Sequence, residues 1–383
     1  MHILHISDTH LGKRQYNLDS RENDVYEVFH QLINIAIKEH VDAVVHTGDF
    51  FDVNDPPNKA EVEAVKGLKR LKEAGIPFIV IAGDHDSPKK NYAIYPQKLL
   101  EEFELIKFLS KPTTPYKLGD ISIYGLSHIP NVARERLKDV FSNLKPETKK
   151  SILLLHQGLK EILPYEGAWQ IQIADLPKNF TYYALGHFHS RKIMHLDGGR
   201  IVEIAGSPDI MREEEIEGYE KDGKGATLID FSGDLPTIQY INVDIRKQYV
   251  INIDTGKIKD DIRKIKEKYK NNNSKKPIFH IILSGITIPK DELMRQLREL
   301  NEVAEHWRIY KDNTKRKEEK DTSDLPNETT IEKLIFHYLT KVAHFSENDA
   351  KIVLDIIEKA DDRAYVKEHL RKMIGVENDH KEN

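Results

Sequence analysis

The sequence contains no cysteine among its 383 residues. This absence excludes a disulfide framework, a thiolate nucleophile, a cysteine-based zinc site and an iron–sulfur cluster. Any metal must therefore be bound by histidine, aspartate and glutamate. Long apolar runs are also missing, because the longest covers only residues 76–83, whereas a membrane-spanning helix needs about twenty residues. The N-terminus lacks the basic start and apolar core of a secretory signal, so we expect a cytoplasmic protein with no membrane association.

Neither sign of charge dominates, since 58 basic residues face 63 acidic ones and the formal net charge is −5. This balance argues against a uniformly basic nucleic-acid binder, although it leaves room for a local basic groove. A hydrophobic share of 39% excludes global disorder. Histidine is abundant, with 18 copies, so the positions of the histidines are the most informative feature of the composition.

The first 245 residues repeat short β-rich apolar runs separated by polar turns, often with a helix between them. The predicted strands are His2–Ile6, Ala43–His46, Phe78–Ala82, Ile121–Gly125, Ile152–Leu155, Tyr182–Leu185 and Ile201–Ala205. Helices between strands indicate an α/β fold with much parallel pairing. Residues 226–231 and 237–243, joined by Ser232-Gly233-Asp234, predict an antiparallel hairpin. A two-sheet α/β core therefore fits better than a single Rossmann sheet.

The remaining chain predicts three further segments. Residues 246–310 read as a small α+β domain, and 311–328 as a charged linker because this segment is nearly devoid of apolar residues. Residues 329–375 predict helices with an apolar stripe, and Ser346 with Asp349 resembles an N-terminal capping box. This helical segment is too small to bury its own stripe, which is typical of a docking element for a partner helix or coiled coil.

Histidine and aspartate residues follow five of the predicted strands directly, where α/β folds gather ligands. They are Asp8, His10, Asp49, Asp84, His85, Asp86, His156, His187 and His189. A single such residue means little, but their joint occurrence at five strand ends predicts a metal centre. Two divalent ions that share a bridging carboxylate can activate water and clamp a phosphate ester. Asp49 is the natural bridge, and these donors suit Mn, Fe, Zn or Mg.

The motifs Asp8-Thr9-His10, Gly48-Asp49, Gly83-Asp84-His85-Asp86, His156 and Gly186-His187-Phe188-His189 resemble those of the calcineurin-like metallophosphoesterases. The opening motif and the order of the domains are similar to those of the archaeal double-strand-break repair nucleases of the meiotic recombination eleven type. The resemblance implies a two-sheet sandwich flanked by helices, a capping domain at 246–310, and a two-metal DNA exonuclease and endonuclease with manganese as the expected metal.

The resemblance also implies roles for individual residues. Asp8, His10, Asp49 and His189 would hold one ion, and Asp49, Asp84, His156 and His187 the other. His85 would protonate the leaving oxygen or stabilise charge at the scissile phosphate. It further implies a homodimer, for which the apolar residues at 62–68 and 99–103 are the candidate interface, and a coiled-coil ABC-type ATPase bound by the terminal helices. The alternatives are burial of those apolar residues against the protein's own sheet, and terminal helices that fold back on the catalytic domain. A nucleotide phosphodiesterase and a non-catalytic scaffold remain alternative functions.

The sequence departs from the family pattern at two positions. Asp84 stands where the family has asparagine, and we expect it to remain a ligand that favours harder cations. Asp52 stands where the nucleases often have histidine. Asp86 either orients His85 or caps the following turn.

Loops beside the metal motifs mix positive charge with aromatic rings. We predict DNA contacts there at Lys13, Arg14, Tyr16, Lys89 and Lys90. The other histidines, His5, His46 and His128 among them, are predicted to pack or to support the ligands. Residues 211–215 read as a surface charge run.

Overall fold

A computed structural model describes residues 1–90, 92–270, 275–315 and 331–359, together with 362 and 365–367. Its strands are β1 (His2–Ile6), β2 (Ala43–Thr47), β3 (Phe78–Ile81), β4 (Lys107–Phe108), β5 (Tyr116–Leu118), β6 (Ile121–Leu126), β7 (Lys150–Leu155), β8 (Tyr182–Leu185), β9 (Lys192–His195), β10 (Ile201–Ile204), β11 (Gly225–Asp230), β12 (Thr237–Asn242), β13 (Gln248–Asp254), β14 (Ile278–Ser284) and β15 (His306–Asp312). The α-helices are α1 (Asp19–Lys38), α2 (Asn58–Glu73), α3 (Gln97–Glu102), α4 (Glu135–Asn143), α5 (Glu215–Asp222), α6 (Ile258–Tyr269), α7 (Lys290–Leu297), α8 (Ile331–His337) and α9 (Glu347–Glu358).

Two six-stranded sheets form the centre of residues 1–245. Their strand orders are β12-β11-β1-β2-β3-β4 and β5-β6-β7-β8-β10-β9. Strands β1, β2 and β3 are mutually parallel, as are β6, β7 and β8, while β11 and β12 form the predicted antiparallel hairpin. The two-sheet α/β fold is confirmed. The short strands β4, β5 and β9 were not predicted, because two to four residues give little periodic signal.

Alternation of side chains along the strands builds three apolar layers. Ile3, Val45, Ile81, Ile123 and Leu154 are fully buried between the two sheets. The opposite face of the first sheet packs against α1 and α2, and that of the second sheet against α4. Because both sheets are covered on both sides, the ends of their strands are the natural place for a site.

A parallel three-stranded sheet, β13-β14-β15, forms the α+β unit with α6 and α7 on one face. Strand β15 was not predicted, because its charged and aromatic residues lack clear alternation. The charged linker was predicted to begin at residue 311, but β15 continues to Asp312. Residues 316–330 of the predicted linker lie outside the described residues.

Ion pairs join the α+β unit to the rest of one compact unit, 1–314. Arg246 Nε donates to Asp24 at 2.6 Å, and Arg308 donates to Glu213 at 2.6 Å. The fully buried Arg21 donates to Asp24 and to Asp209. Arg246 therefore fixes the α+β unit against α1, and Arg308 fixes it against the segment that precedes α5.

The second unit comprises residues 315–383. Helix α8 continues into a π-helical turn at Tyr338–Val342, and α9 follows. Ser346 Oγ accepts from the Asp349 amide at 3.1 Å, which confirms the predicted cap. Ile331, Leu334, Tyr338 and Val342 are exposed, as the predicted apolar stripe requires. In the last part of the helical segment predicted at 329–375, residues 360–375, the structure describes only 362 and 365–367. In the described parts of the chain, no helix has the length and apolar character to span a membrane.

Candidate metal centre

The predicted ligands come together at the carboxyl ends of five strands. Asp8 and His10 follow β1, Asp49 follows β2, and Asp84 follows β3. From the second sheet, His156 follows β7, while His187 and His189 follow β8. Because β1, β2 and β3 are neighbours in one sheet and β7 and β8 in the other, the ligands meet where the two sheets end together.

Two ligand groups share this edge. In the first, His10 Nε2 lies 3.2 Å from His189 Nε2 and 3.7 Å from Asp49 Oδ2, and His189 Nε2 lies 3.8 Å from Asp8 Oδ1. We call Asp8, His10, Asp49 and His189 position A. The donor atoms of Asp8, His10 and His189 all lie within 4.8 Å of one another, close enough to hold one ion.

The second group lies on the other side of Asp49. His156 Nε2 is 3.4 Å from Asp49 Oδ2 and 3.1 Å from Asp84 Oδ1, and His187 Nδ1 is 3.0 Å from the same Asp84 oxygen. We call Asp49, Asp84, His156 and His187 position B. Since Asp49 Oδ2 approaches histidines of both groups, its carboxylate is placed to bridge them.

Backbone strain and glycines support this convergence. Asp8, His10, Asp49 and His187 all have positive φ angles, between 47° and 77°, which are costly for residues other than glycine. A Cβ atom at Gly83 would lie 2.0 Å from Asp49 Oδ1, so only glycine lets this loop pass the bridging carboxylate. The glycine of Gly83-Asp84 is thus required by the close approach of Asp49.

Burial and neighbouring charges shift the pKa values of several of these side chains. Burial alone would lower the pKa of His156, but the carboxylates of Asp49 and Asp84 outweigh it and raise this pKa well above its ordinary value. Burial opposes ionisation of Asp49 and Asp84, yet the neighbouring histidines hold both pKa values below the ordinary value. At His10, burial is the largest influence and lowers the pKa. The site therefore combines ionised carboxylates with imidazoles, and carboxylates and neutral imidazoles are the donor types of a divalent metal centre.

His85 lies beside both groups and lines a cavity of about 330 Å³ that also contacts Asp49, Asp84, His187 and His189. Its Nδ1 lies 2.9 Å from the main-chain oxygen of Asp52, and its amide donates to Asp49 Oδ1 at 2.9 Å. The side chain is about one-third exposed. With Nδ1 occupied, Nε2 is the nitrogen left for a bound substrate.

Asp52, which stands at a departure from the family pattern, contacts several groups. Its Oδ1 lies 3.1 Å from His10 Nδ1 and accepts from Lys13 Nζ at 3.0 Å. The same oxygen is 3.8 Å from His85 Nδ1, so His10, Asp52 and His85 form a further group of potential donors. Burial opposes ionisation of Asp52, but His10 and Lys13 lower its pKa to about 2.

Asp86 is fully buried and braces the loop. It accepts from the amides of Gly83 at 2.7 Å and Phe50 at 2.8 Å, and from the side chain of Gln97. Burial and the nearby Asp49 charge raise its pKa to about 7. Of the two predicted roles, the turn cap is the one that these contacts support.

Glu215 lies at the site, although its position there was not predicted from the sequence. The run 211–215 was predicted to be a surface charge run, and this is wrong for Met211 and Glu215, which are both buried. Glu215 Oε1 accepts from His189 Nδ1 at 2.8 Å, and Lys224 donates to the other oxygen. Burial opposes ionisation, but Lys224 and His189 hold the pKa of Glu215 below its ordinary value. The only sequence signal was the pair of apolar residues, Met211 and Ile216, that flank the acidic run.

Three further histidines, His5, His46 and His128, lie within the fold near the site. His5 lies 2.5 Å from Glu203 and 2.9 Å from Thr47 Oγ1, and His46 contacts Thr9 Oγ1. His128 Nδ1 contacts the main-chain oxygen of His156 at 3.0 Å. Burial, together with the charge of His156, lowers the pKa of His128 to about 4.

The predicted DNA-contact residues are less uniform. Lys89 and Lys90 are exposed beside the site. Arg14 pairs with Asp19, and Lys13 with Asp52. Tyr16 was expected to meet a nucleic acid but instead stacks on His306, with ring centroids 5.1 Å apart and planes 20° apart. Its half-buried ring therefore joins the segment after β1 to β15 of the α+β unit.

The chain is similar to known proteins along its whole length. The family model described as calcineurin-like phosphoesterase matches residues 1–191. The chain is 73% identical to the DNA double-strand break repair protein Mre11 of Sulfurisphaera tokodaii, over 100% of this chain and 99% of that protein. It is 56% identical to the protein of that name from Sulfolobus acidocaldarius, over 98% and 100% of the two chains. The Saccharolobus solfataricus Mre11 is 50% identical, over 98% and 99%.

Proposed function

The chain belongs to the Mre11 family of DNA double-strand break repair proteins, and from that membership we propose that it is a two-metal nuclease that hydrolyses phosphodiester bonds at DNA ends. One observation carries the proposal. Two groups of imidazole and carboxylate donors share Asp49 and open, together with His85, into one cavity. A structural scaffold has no need of such strained, converging donors.

The donor set fits two divalent ions. Asp8, His10, Asp49 and His189 would hold one ion, and Asp49, Asp84, His156 and His187 the other. When bound, the ions would activate a water molecule and stabilise charge on the attacking and leaving oxygens of a phosphodiester. Oxygen and nitrogen donors without thiolate suit manganese, which we propose as the metal.

The chain's own residues position the substrate and move the proton. His85 would stand opposite the leaving oxygen, with Nε2 as the donor, while Asp52 holds its Nδ1 side through the main-chain oxygen. The exposed Lys89 and Lys90 would contact the phosphate backbone next to the cavity. Lys13 and Arg14 would contribute weaker contacts, because each already has a carboxylate partner.

A nucleotide phosphodiesterase is the alternative that the same core could support. The two functions are separated by comparing manganese-dependent cleavage of duplex DNA with hydrolysis of cyclic and dinucleotide substrates. We expect cleavage of DNA into labelled fragments, both from its ends and internally. Efficient hydrolysis of small substrates without DNA cleavage would contradict the nuclease proposal.

Exchanging Asp84 for asparagine gives a prediction specific to this chain. Asp84→Asn removes one negative charge at position B while keeping an oxygen donor, so we expect retained activity with a preference shifted from Mg²⁺ and Mn²⁺ toward softer ions such as Zn²⁺. The measurement is nuclease activity across a metal series at equal concentrations. An unchanged metal preference, or complete loss of one bound metal, would contradict the charge argument.

We also propose that the protein forms a homodimer through an apolar surface beside β3. Val62 on α2, Leu99 on α3 and Phe103 are exposed, whereas Leu68 and Leu100, also predicted at the interface, are buried in the protein's own core. The proposed dimer surface therefore includes Val62, Leu99 and Phe103 but not Leu68 or Leu100. Exposed apolar side chains are the candidates for such an interaction site.

Light scattering at micromolar concentration tests this dimer. We expect a dimer mass for the wild type, and a monomer mass for the double variant Leu99→Glu, Phe103→Glu, because two charges would have to be buried. Val132→Glu, at an exposed valine elsewhere, is the matched control and should remain dimeric. A wild-type monomer would contradict the proposal.

The helical segment after the charged stretch would bind a partner. We propose that the exposed stripe of α8 and α9 binds a coiled-coil ABC-type ATPase, since these short helices leave Ile331, Tyr338, Val342 and Ile357 exposed. Such a complex would act on DNA in the cytoplasm.

A further inference from the structure

The two metal positions differ in what lies behind their histidines. At position A, both histidines are backed by carboxylates: His189 Nδ1 lies 2.8 Å from Glu215 Oε1, and His10 Nδ1 lies 3.1 Å from Asp52 Oδ1. Both rings thereby turn Nε2 toward the ligand group, where the two Nε2 atoms are 3.2 Å apart. Position A thus involves four carboxylates. Asp8 and Asp49 belong to the ligand group, and Glu215 and Asp52 contact the far side of its histidines.

Position B has a different support. His156 Nδ1 lies 2.6 Å from the main-chain oxygen of Thr47, which is a neutral acceptor. His187 uses Nδ1 itself toward Asp84, and its ring stacks on His128 with centroids 6.0 Å apart. Position B is also more open, since the side chains of Asp84 and His187 are 32% and 24% exposed, against at most 14% for every ligand of position A.

The supporting carboxylates of position A are themselves fixed. The second oxygen of Glu215 accepts from Lys224, from Ser207 Oγ at 3.0 Å and from the Met211 amide at 3.2 Å. Asp52 accepts from Lys13 at 3.0 Å. Each carboxylate is therefore held in place by a lysine, whose positive charge balances the negative charge of the carboxylate. The carboxylate then acts on its histidine by orienting the ring and making it more basic.

A carboxylate behind a ligating histidine fixes its tautomer and ring angle and makes it a stronger donor, and losing it weakens metal binding by about 10–100-fold. We infer that Glu215 and Asp52 are positioning residues that make position A the high-affinity metal position, while position B exchanges its ion more readily. This inference rests on the proposed function, in which both positions hold divalent ions.

Calorimetric titration of the metal-free full-length protein with Mn²⁺ alone tests it. The wild type should show two binding steps whose dissociation constants differ by about tenfold or more. Asp84→Ala, which removes a ligand of position B only, should abolish the weaker step and so identify it. Glu215→Gln and Asp52→Asn should each weaken the stronger step by about 10–100-fold and leave the weaker one unchanged.

Two exposed acids provide matched controls, since Glu217→Gln and Asp55→Asn should leave both steps unchanged. Because Glu215 is buried, the melting temperature of each metal-free variant is measured alongside. If Glu215→Gln fails to fold, the less buried Asp52→Asn decides the outcome. In metal-free wild type, the ¹⁵N shifts of the His189 ring should report a proton on Nδ1, and this signature should change in Glu215→Gln.

The possible failures are distinguishable. Two steps of equal affinity, variants that leave both steps unchanged, or variants that weaken the step lost in Asp84→Ala would each overturn the inference and leave the nuclease proposal standing. A wild type that binds no Mn²⁺ would contradict the proposed function itself.

Discussion

His85→Ala should lose most phosphodiester cleavage while still binding two metal ions. His85 lines the cavity with its Nδ1 held by Asp52, and it belongs to neither position A nor position B. Removing it therefore takes away a proton donor without removing a ligand from either position. General acid catalysis contributes about 10²–10⁴ in rate, so the cleavage rate at saturating manganese should fall by that factor.

The measurement pairs single-turnover cleavage of duplex DNA with metal stoichiometry. His195→Ala, at an exposed histidine on β9, is the matched control and should cleave like the wild type. Wild-type turnover in His85→Ala, with both metals bound, would remove His85 from the mechanism. Loss of a metal would show instead that His85 is a ligand, together with His10 and Asp52.

A chain ending at residue 320 should keep metal binding and nuclease activity on simple substrates but lose its complex with the ATPase. Residues 1–314 form a compact unit that contains every proposed ligand, so the catalytic site does not depend on α8 and α9. The exposed stripe of these helices includes Ile331, Leu334, Tyr338 and Ile357. Burying several such side chains, at about 1.5–3 kcal/mol each, is enough to hold a partner.

Co-purification of the full and shortened chains with the ATPase, together with their melting temperatures, tests this prediction. Leu334→Glu in the full chain is a milder variant that should also weaken the complex. The docking proposal fails if the shortened chain binds the ATPase as well as the full chain does. It also fails if the shortened chain melts much earlier, because α8 and α9 would then belong to the enzyme's own core.

The strands and ligands were predictable because their signals are local. Each ligand follows a run of β-branched and apolar residues, and parallel strands bring such ends to one edge. The predicted β1 and β8 agree with the structure residue for residue, and the convergence of Asp8, Asp49 and His187 followed from the fold class. Strand β15 escaped prediction because its sequence, His306–Asp312, mixes charged and aromatic residues.

The supporting contacts were not predictable because they depend on distant parts of the chain. Glu215 sits in a run of three glutamates whose members look alike in the sequence, yet only Glu215 is buried against His189. Similarly, no residue near Tyr16 in the sequence predicts its contact with His306, which lies 290 residues further along the chain. Side-chain pairs of this kind are defined only when distant segments of the chain are brought together in the fold.

We propose that two divalent ions, held at positions A and B, enable the protein to cleave DNA. The most direct measurement is digestion of end-labelled duplex DNA, supplemented with manganese, by the wild type and by Asp8→Ala. Asp55→Ala, at an exposed acid, is the matched control. We expect manganese-dependent cleavage by the wild type and by Asp55→Ala, abolished by a chelator, and no cleavage by Asp8→Ala. Cleavage by Asp8→Ala at the wild-type rate, or wild-type cleavage that persists with the chelator, would contradict this proposal.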